Sequence, residues 1–255
     1  MQLAVRGTGP ALVMIHGWAM HGGVFEPLVA RLQEQFTLHL VDLPGHGRSR
    51  DSAVPFTLDA MASAIAAQTP PAPWLGWSLG GLVALHAANR HRTSVRGLLM
   101  LAASPRFVRA PDWPLGMDDA VFAGFADDLA HDYHAAVDRF LMLEAQGSDH
   151  LREEVRLLRA SVFAQGEPTR QALACGLALL RESDLRATLS ALSVPSVWLA
   201  GRRDRLVSPA AMQAAAANTP ASTYLEVAGA GHAPFLSHAA PVAQAIADFI
   251  GGLPA

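Results

Sequence analysis

Two hydrophobic rhythms divide the chain. Short, almost wholly apolar runs recur at residues 11–15 (ALVMI), 38–42 (LHLVD), 74–76 and 95–102, and the first two end in glycine-rich turns. Runs this short and this apolar read as strands of a sheet covered on both faces. Between them the spacing turns helical, most clearly over the small-residue stretch 79–90. The same rhythm returns late in the chain. A strand over 197–200 is followed by a helix over 209–217, opened by Ser208 and Pro209, then by a strand over 224–227 and a closing helix over 241–250. Alternation of this kind predicts an α/β fold with a mostly parallel, doubly wound sheet.

The stretch 111–186 breaks the pattern. It has no β-like run and reads as amphipathic helices over 118–129, 133–145, 151–160 and 169–180. The expected organisation is a core built from 1–110 and 187–255, with 111–186 inserted as a helical lid. Such an insertion would cover the carboxyl ends of the strands, where open α/β sheets bind ligands.

Composition narrows the chemistry. The 255 residues are 51% hydrophobic and 16% charged, which is enough for a large core and leaves no case for global disorder. The net charge is −3 and no polybasic run occurs, so neither a nucleic acid nor an anionic membrane is the expected partner. All 19 basic residues are arginine, which excludes lysine-based phosphate loops, Schiff bases and lysine general bases. The single cysteine, Cys175, excludes an internal disulfide and a cysteine-rich zinc site. Residues 1–6 lack a signal-peptide pattern, and the longest apolar stretch, 76–88, is interrupted by Ser78 and His86 well short of the ~18 residues of a membrane span. The expectation is a cytoplasmic monomer that uses no metal and no cofactor.

Against that background Gly76-Trp77-Ser78-Leu79-Gly80 stands out as G-x-S-x-G placed between a strand and a helix, the setting of a nucleophile elbow. Ser78 would stand at the positive end of the helix, where a developing alkoxide is favoured. A serine nucleophile needs a base, and the base needs a carboxylate to orient it. Of 11 histidines, His232 lies in a glycine-rich loop after a strand and before the last helix, whereas His238 sits where that helix begins. Asp204 follows the 197–200 strand through a short turn, so Ser78, Asp204 and His232 come in the Ser–Asp–His order that this fold class uses. Asp42 precedes Ser78 and reads as the organiser of the turn at 43–49. The oxyanion hole is expected from the backbone amides of Leu79 and Trp18, with Gly17 letting the chain turn inward and His16 bracing the loop.

His16-Gly17-Trp18, the segment Asp42-Leu-Pro-Gly-His-Gly-Arg-Ser49, the glycines around Ser78, the Gly201 to Asp204 turn and Gly231-His232 together resemble the α/β-hydrolase superfamily over essentially the whole chain. Longer matches at 38–45, 74–83, 139–143 and 232–238 resemble the carboxylesterases of biotin synthesis within it. That resemblance implies hydrolysis of a pimeloyl methyl ester carried on an acyl carrier protein. It implies acyl-chain contacts at Trp18, Ser78, Leu79, Phe140, Leu141, Met142, Leu143, Glu144 and His232, where Glu144 replaces an expected neutral amide. It also implies carrier docking on a basic stripe of Arg152, Arg156 and Arg159, joined by Arg139. Two other readings use the same residues. One is a general short-chain esterase, or a carbon–carbon or lactone hydrolase, acting on a free small molecule. The other is a non-catalytic protein that uses the cavity as a receptor.

Overall fold

The computed structural model describes residues 1–254. Seven strands form one sheet: β1 (Gln2–Arg6), β2 (Ala11–Ile15), β3 (Thr37–Asp42), β4 (Ala72–Trp77), β5 (Val95–Leu101), β6 (Ser196–Gly201) and β7 (Ser222–Val227). Their spatial order is β1-β3-β2-β4-β5-β6-β7, and every pairing is parallel except β1 with β3. The antiparallel β1 is an addition to the predicted strands. Its sequence, Gln-Leu-Ala-Val-Arg, alternates weakly and begins and ends on polar residues, as befits a half-covered edge.

Helices cover both faces. On the core these are α1 (Glu26–Leu32), α2 (Leu58–Ala66), α3 (Leu79–Arg90), α8 (Pro209–Ala217), α9 (Pro234–Ser237) and α10 (Ala239–Gly251). Four helices separate β5 from β6: α4 (Asp119–His131), α5 (Tyr133–Ala145), α6 (Leu151–Phe163) and α7 (Arg170–Glu182). Side-chain caps set three of their starts, with Asp118, Asp132 and Thr169 each accepting from a backbone amide of the first turn.

The order of the strands locates the site. The chain leaves β3 at one side of β2 and re-enters at β4 on the other, so the winding reverses between β2 and β4. Ligands of open α/β sheets lie at the carboxyl ends of strands flanking such a reversal. Here those ends carry His16, Gly17 and Trp18 after β2, and Ser78 after β4. Close packing fixes their approach. A Cβ on Gly80 would lie 2.2 Å from the carbonyl oxygen of Ile15, so only glycine lets the first turn of α3 sit against the end of β2.

Candidate active site

Ser78 joins β4 to α3 at φ 53° and ψ −119°, a region that costs a residue with a side chain about 1–3 kcal/mol. The turn is held by the Ser78 amide, which donates to Leu101 O at 3.1 Å, and by the Gly81 amide, which donates to Ser78 O at 2.9 Å. In this conformation Ser78 Oγ lies 2.8 Å from His232 Nε2. The other ring nitrogen, Nδ1, lies 2.8 Å from Asp204 Oδ2. Asp204 Oδ1 accepts from the amides of Leu206 and Val207 at 2.8 and 2.9 Å, which leaves Oδ2 for the imidazole. Three residues separated by up to 154 positions therefore form one continuous hydrogen-bonded chain, with all three side chains buried.

The His232 loop is fixed from two sides. Trp77 Nε1 donates to His232 O at 2.8 Å, and the His232 amide donates to Glu144 O at 3.1 Å. On the far side of Ser78, a Cβ on Gly17 would come within 3.2 Å of Ser78 Cβ, so the loop after β2 runs directly against the serine. Among the described residues neither the Trp18 amide nor the Leu79 amide donates to a protein acceptor. Both N–H groups, one on the β2 loop and one at the first residue of α3, are therefore without a protein acceptor.

His16 holds that loop. Its Nε2 accepts from the Leu43 amide at 2.9 Å, so the proton is on Nδ1, which donates to Gly17 O at 2.7 Å. Burial, reinforced by neighbouring His46, pushes the His16 pKa down to about 3 and keeps the ring neutral. Burial alone would raise the Asp42 pKa. The Arg48 side chain and the amides of Gly22 and Arg48 outweigh it and hold Asp42 below the ordinary carboxylate range. Asp42 is thereby committed to the 43–49 turn, well occupied and unavailable to His232.

The inserted helices pack on Trp18. Trp18 Nε1 donates to Leu173 O at 2.8 Å, and its ring packs on Phe140 with centroids 4.5 Å apart. A Cβ on Gly176 would fall 2.7 Å from the Trp18 ring, so α7 lies directly on the indole. Phe140, Leu141 and Glu144 are buried and Leu143 is partly so. Met142, by contrast, is 46% exposed. At 100° per residue, position 142 lies about 200° from Phe140, so the two side chains leave α5 on different sides.

Glu144 and Glu154 are the residues whose setting sequence reasoning missed. Glu144 is fully buried and neither carboxylate oxygen has a hydrogen-bond partner among the described residues. Burial, with Asp204 and Glu154 nearby, drives its pKa well above the ordinary carboxylate value. Glu154 lies one turn from several arginines of its own helix but makes no ion pair with them. Instead it turns inward and accepts from the hydroxyls of Ser148 and Ser237. The signal was present, since Glu154 falls on the same stripe as Leu151 and Leu158.

With Glu154 turned in and Glu153 beside His150, the exposed face of α6 is left to arginine. Arg152 and Arg156 make no ion pair among the described residues, whereas Arg159 pairs with Asp138 at 2.8 Å and Arg139 with Asp128. No cluster of histidine, cysteine or carboxylate side chains suited to a metal ion occurs among the described residues, and no helix is long and apolar enough to cross a membrane.

Residues 10–239 match the family model described as alpha/beta hydrolase fold. The chain is 57% identical to a pimeloyl-[acyl-carrier protein] methyl ester esterase of Stenotrophomonas maltophilia (strain R551-3), over 99% of this chain and 97% of that protein. It is 55% identical to the protein of the same name from Xanthomonas campestris pv. campestris (strain B100), over the full length of both. Among solved structures, an esterase from Exiguobacterium antarcticum superposes with a TM-score of 0.88 over 98% of this chain and 95% of that one; at 23% identity this likeness speaks to the fold alone.

Proposed function

The chain belongs to the α/β-hydrolase fold family, and from that premise we propose that it is a serine carboxylesterase hydrolysing the methyl ester of pimeloyl-[acyl-carrier protein] in biotin synthesis. The observation that carries the reading is the unbroken hydrogen-bonded chain from Ser78 through His232 to Asp204, in a sequence that matches esterases of that name from end to end.

The reaction runs in two halves. Ser78 Oγ attacks the ester carbonyl carbon while its proton passes to His232 Nε2, and the negative charge collects on the former carbonyl oxygen. The Leu79 and Trp18 amides receive that oxygen, each donor being worth about 3 kcal/mol of barrier. Asp204 Oδ2 keeps the proton on Nδ1, so Nε2 is the basic nitrogen, and then stabilises the imidazolium. Collapse breaks the bond from carbon to methoxy oxygen, and the Nε2 proton leaves with methanol. A water then gives its proton to Nε2 and its hydroxyl to the acyl carbon, and Ser78 recovers its proton as the pimeloyl carboxylate departs. Trp18, Phe140, Leu141 and Leu143 supply an apolar wall suited to a polymethylene arm. Arg152 and Arg156, with Arg139 and Arg159 at their flanks, supply the cationic face for an acidic carrier protein.

The test is rescue of a biotin-requiring strain that lacks this esterase activity. Growth without biotin on the wild-type gene, and none on a stably expressed Ser78→Ala gene, is the expected result. Failure of the wild-type gene to rescue, with the purified protein hydrolysing short free esters, would sink the carrier-ester assignment and favour a general esterase.

A further inference from the structure

The last turn of α5 and the loop that follows it are fastened to both loops that bear the histidine and the aspartate. Glu144 O accepts from the His232 amide at 3.1 Å, and the Asp149 amide donates to Gly229 O at 3.0 Å. Gly147, at φ +94°, presses on the Asp204 loop so closely that a Cβ there would lie 2.2 Å from Arg203 O, and Arg203 also pairs with Asp149. The side chain that leaves this turn is the buried carboxyl of Glu144, whose two oxygens hydrogen-bond to nothing. The ionisable groups acting on it are Asp204 from the β6 loop and Glu154 from α6. Behind Glu154 stand the hydroxyls of Ser148 and Ser237 and the rings of His150 and His238. The two acids that act on Glu144 bring it no positive charge. A carboxylate in a dry site without donors would cost several kcal/mol, so the group retains its proton. Its direction of shift, upward through burial, agrees.

We propose that Glu144 is a positioning residue for the triad: as a neutral carboxylic acid it lets the end of α5 rest against the His232 and Asp204 loops, and loss of its proton dislodges that contact and switches the esterase off at alkaline pH. The proposal rests on the serine esterase reading but not on the identity of the acyl group. Once ionised, the carboxyl must draw water inward or swing outward, and either movement pulls on the Glu144 carbonyl that holds the His232 backbone. The loss therefore falls on kcat. A triad without such a neighbour keeps its activity once the histidine has lost its proton.

The experiment compares wild type, Glu144→Gln and Glu154→Gln on a short-chain methyl ester, followed by acid release and corrected for spontaneous hydrolysis. Each profile of kcat is normalised to its own value near neutrality. Wild type is expected to decline on the alkaline side, approaching tenfold per pH unit once Glu144 ionises, and Glu144→Gln to lose that decline. A wild-type plateau up to about pH 10, a decline that persists in Glu144→Gln, or one that disappears only in Glu154→Gln overturns the proposal. Infrared difference spectra read the same proton without turnover. A protonated carboxyl band at neutral pH in wild type, missing in Glu144→Gln, is expected, and its absence from wild type overturns the proposal even if the protein hydrolyses no ester. A protein with the band but without turnover on any ester would instead refute the esterase reading and, with it, the effect on kcat.

Discussion

At Ser78 a strained backbone and a reactive hydroxyl occupy the same residue, so chemistry and stability can be separated by substitution. Ser78→Ala is expected to lower ester turnover by about 10⁴-fold or more while the thermal midpoint holds, as steady-state assays and calorimetry would show. Ser78→Gly should be equally inactive yet more stable, by about 1 kcal/mol, because glycine adopts φ 53° without strain. A denaturant titration in which Ser78→Gly is the less stable protein would contradict the strain argument. His16 and His46 give a second test at this scale. Burial pushes their pKa values down to about 3 and about 4, so nitrogen NMR should find both rings neutral at about pH 5, where an ordinary histidine is charged. The sign follows directly. Each ring contributes stability above the unfolded pKa of 6.5, and that contribution is lost as pH falls toward the folded value. By about pH 5 the loss is about 2 kcal/mol per ring. The raised carboxyls of Glu144 and Glu154 act in the opposite sense, losing stability as pH rises. Ring titration is therefore a cleaner reading than overall stability.

A single helix, α6, carries two unlike faces. Leu158 and Glu154 point inward, while Arg152, Arg156 and Arg159 point outward. The stripe of arginines is legible from spacing alone, because residues at i, i+4 and i+7 share a face. What the spacing does not reveal is which of those cations are already occupied. Arg159 and Arg139 are drawn to aspartates on α5 and α4, whereas Arg152 and Arg156 are not, since their own helix sends Glu154 to the interior. The double variant Arg152→Glu, Arg156→Glu is accordingly expected to raise KM for the carrier-bound ester at least about tenfold and to leave hydrolysis of a short free ester unaltered. Equal losses on both substrates would show that α6 serves the fold and not the carrier. Short elements were harder to read. The five residues of β1 offer no clear alternation, and α1 and α2 span only seven and nine residues.

Across the molecule, what sequence alone made legible was the set of strand ends. Apolar runs closed by glycine turns mark where β2, β4 and β6 terminate, and Gly17, Ser78 and Asp204 stand at or just beyond those termini. The side-by-side placement of His16 and Ser78 followed only from the winding reversal, a property of how strands are ordered in space. The crowding of Glu144, Glu154 and Asp204 was likewise invisible, because it joins two inserted helices to the core. Electrostatics at this scale yield another expectation. Turnover of the carrier-bound ester should fall as salt rises from about 0.05 to 0.5 M, since exposed arginines are screened beyond about 10 Å, while turnover of a neutral small ester should stay flat. Parallel salt dependence for both would remove the case for an electrostatically guided partner.

The burial of Ser78 has a kinetic consequence. Ser78 has no exposed surface, so the molecule in this state is a shut vessel and an ester or inhibitor reaches the hydroxyl only after something moves. Breathing then becomes the clock. As a phosphonate probe is made more concentrated, its labelling rate should climb and then level off at the frequency with which the vessel unseals, and no faster reagent can outrun that ceiling.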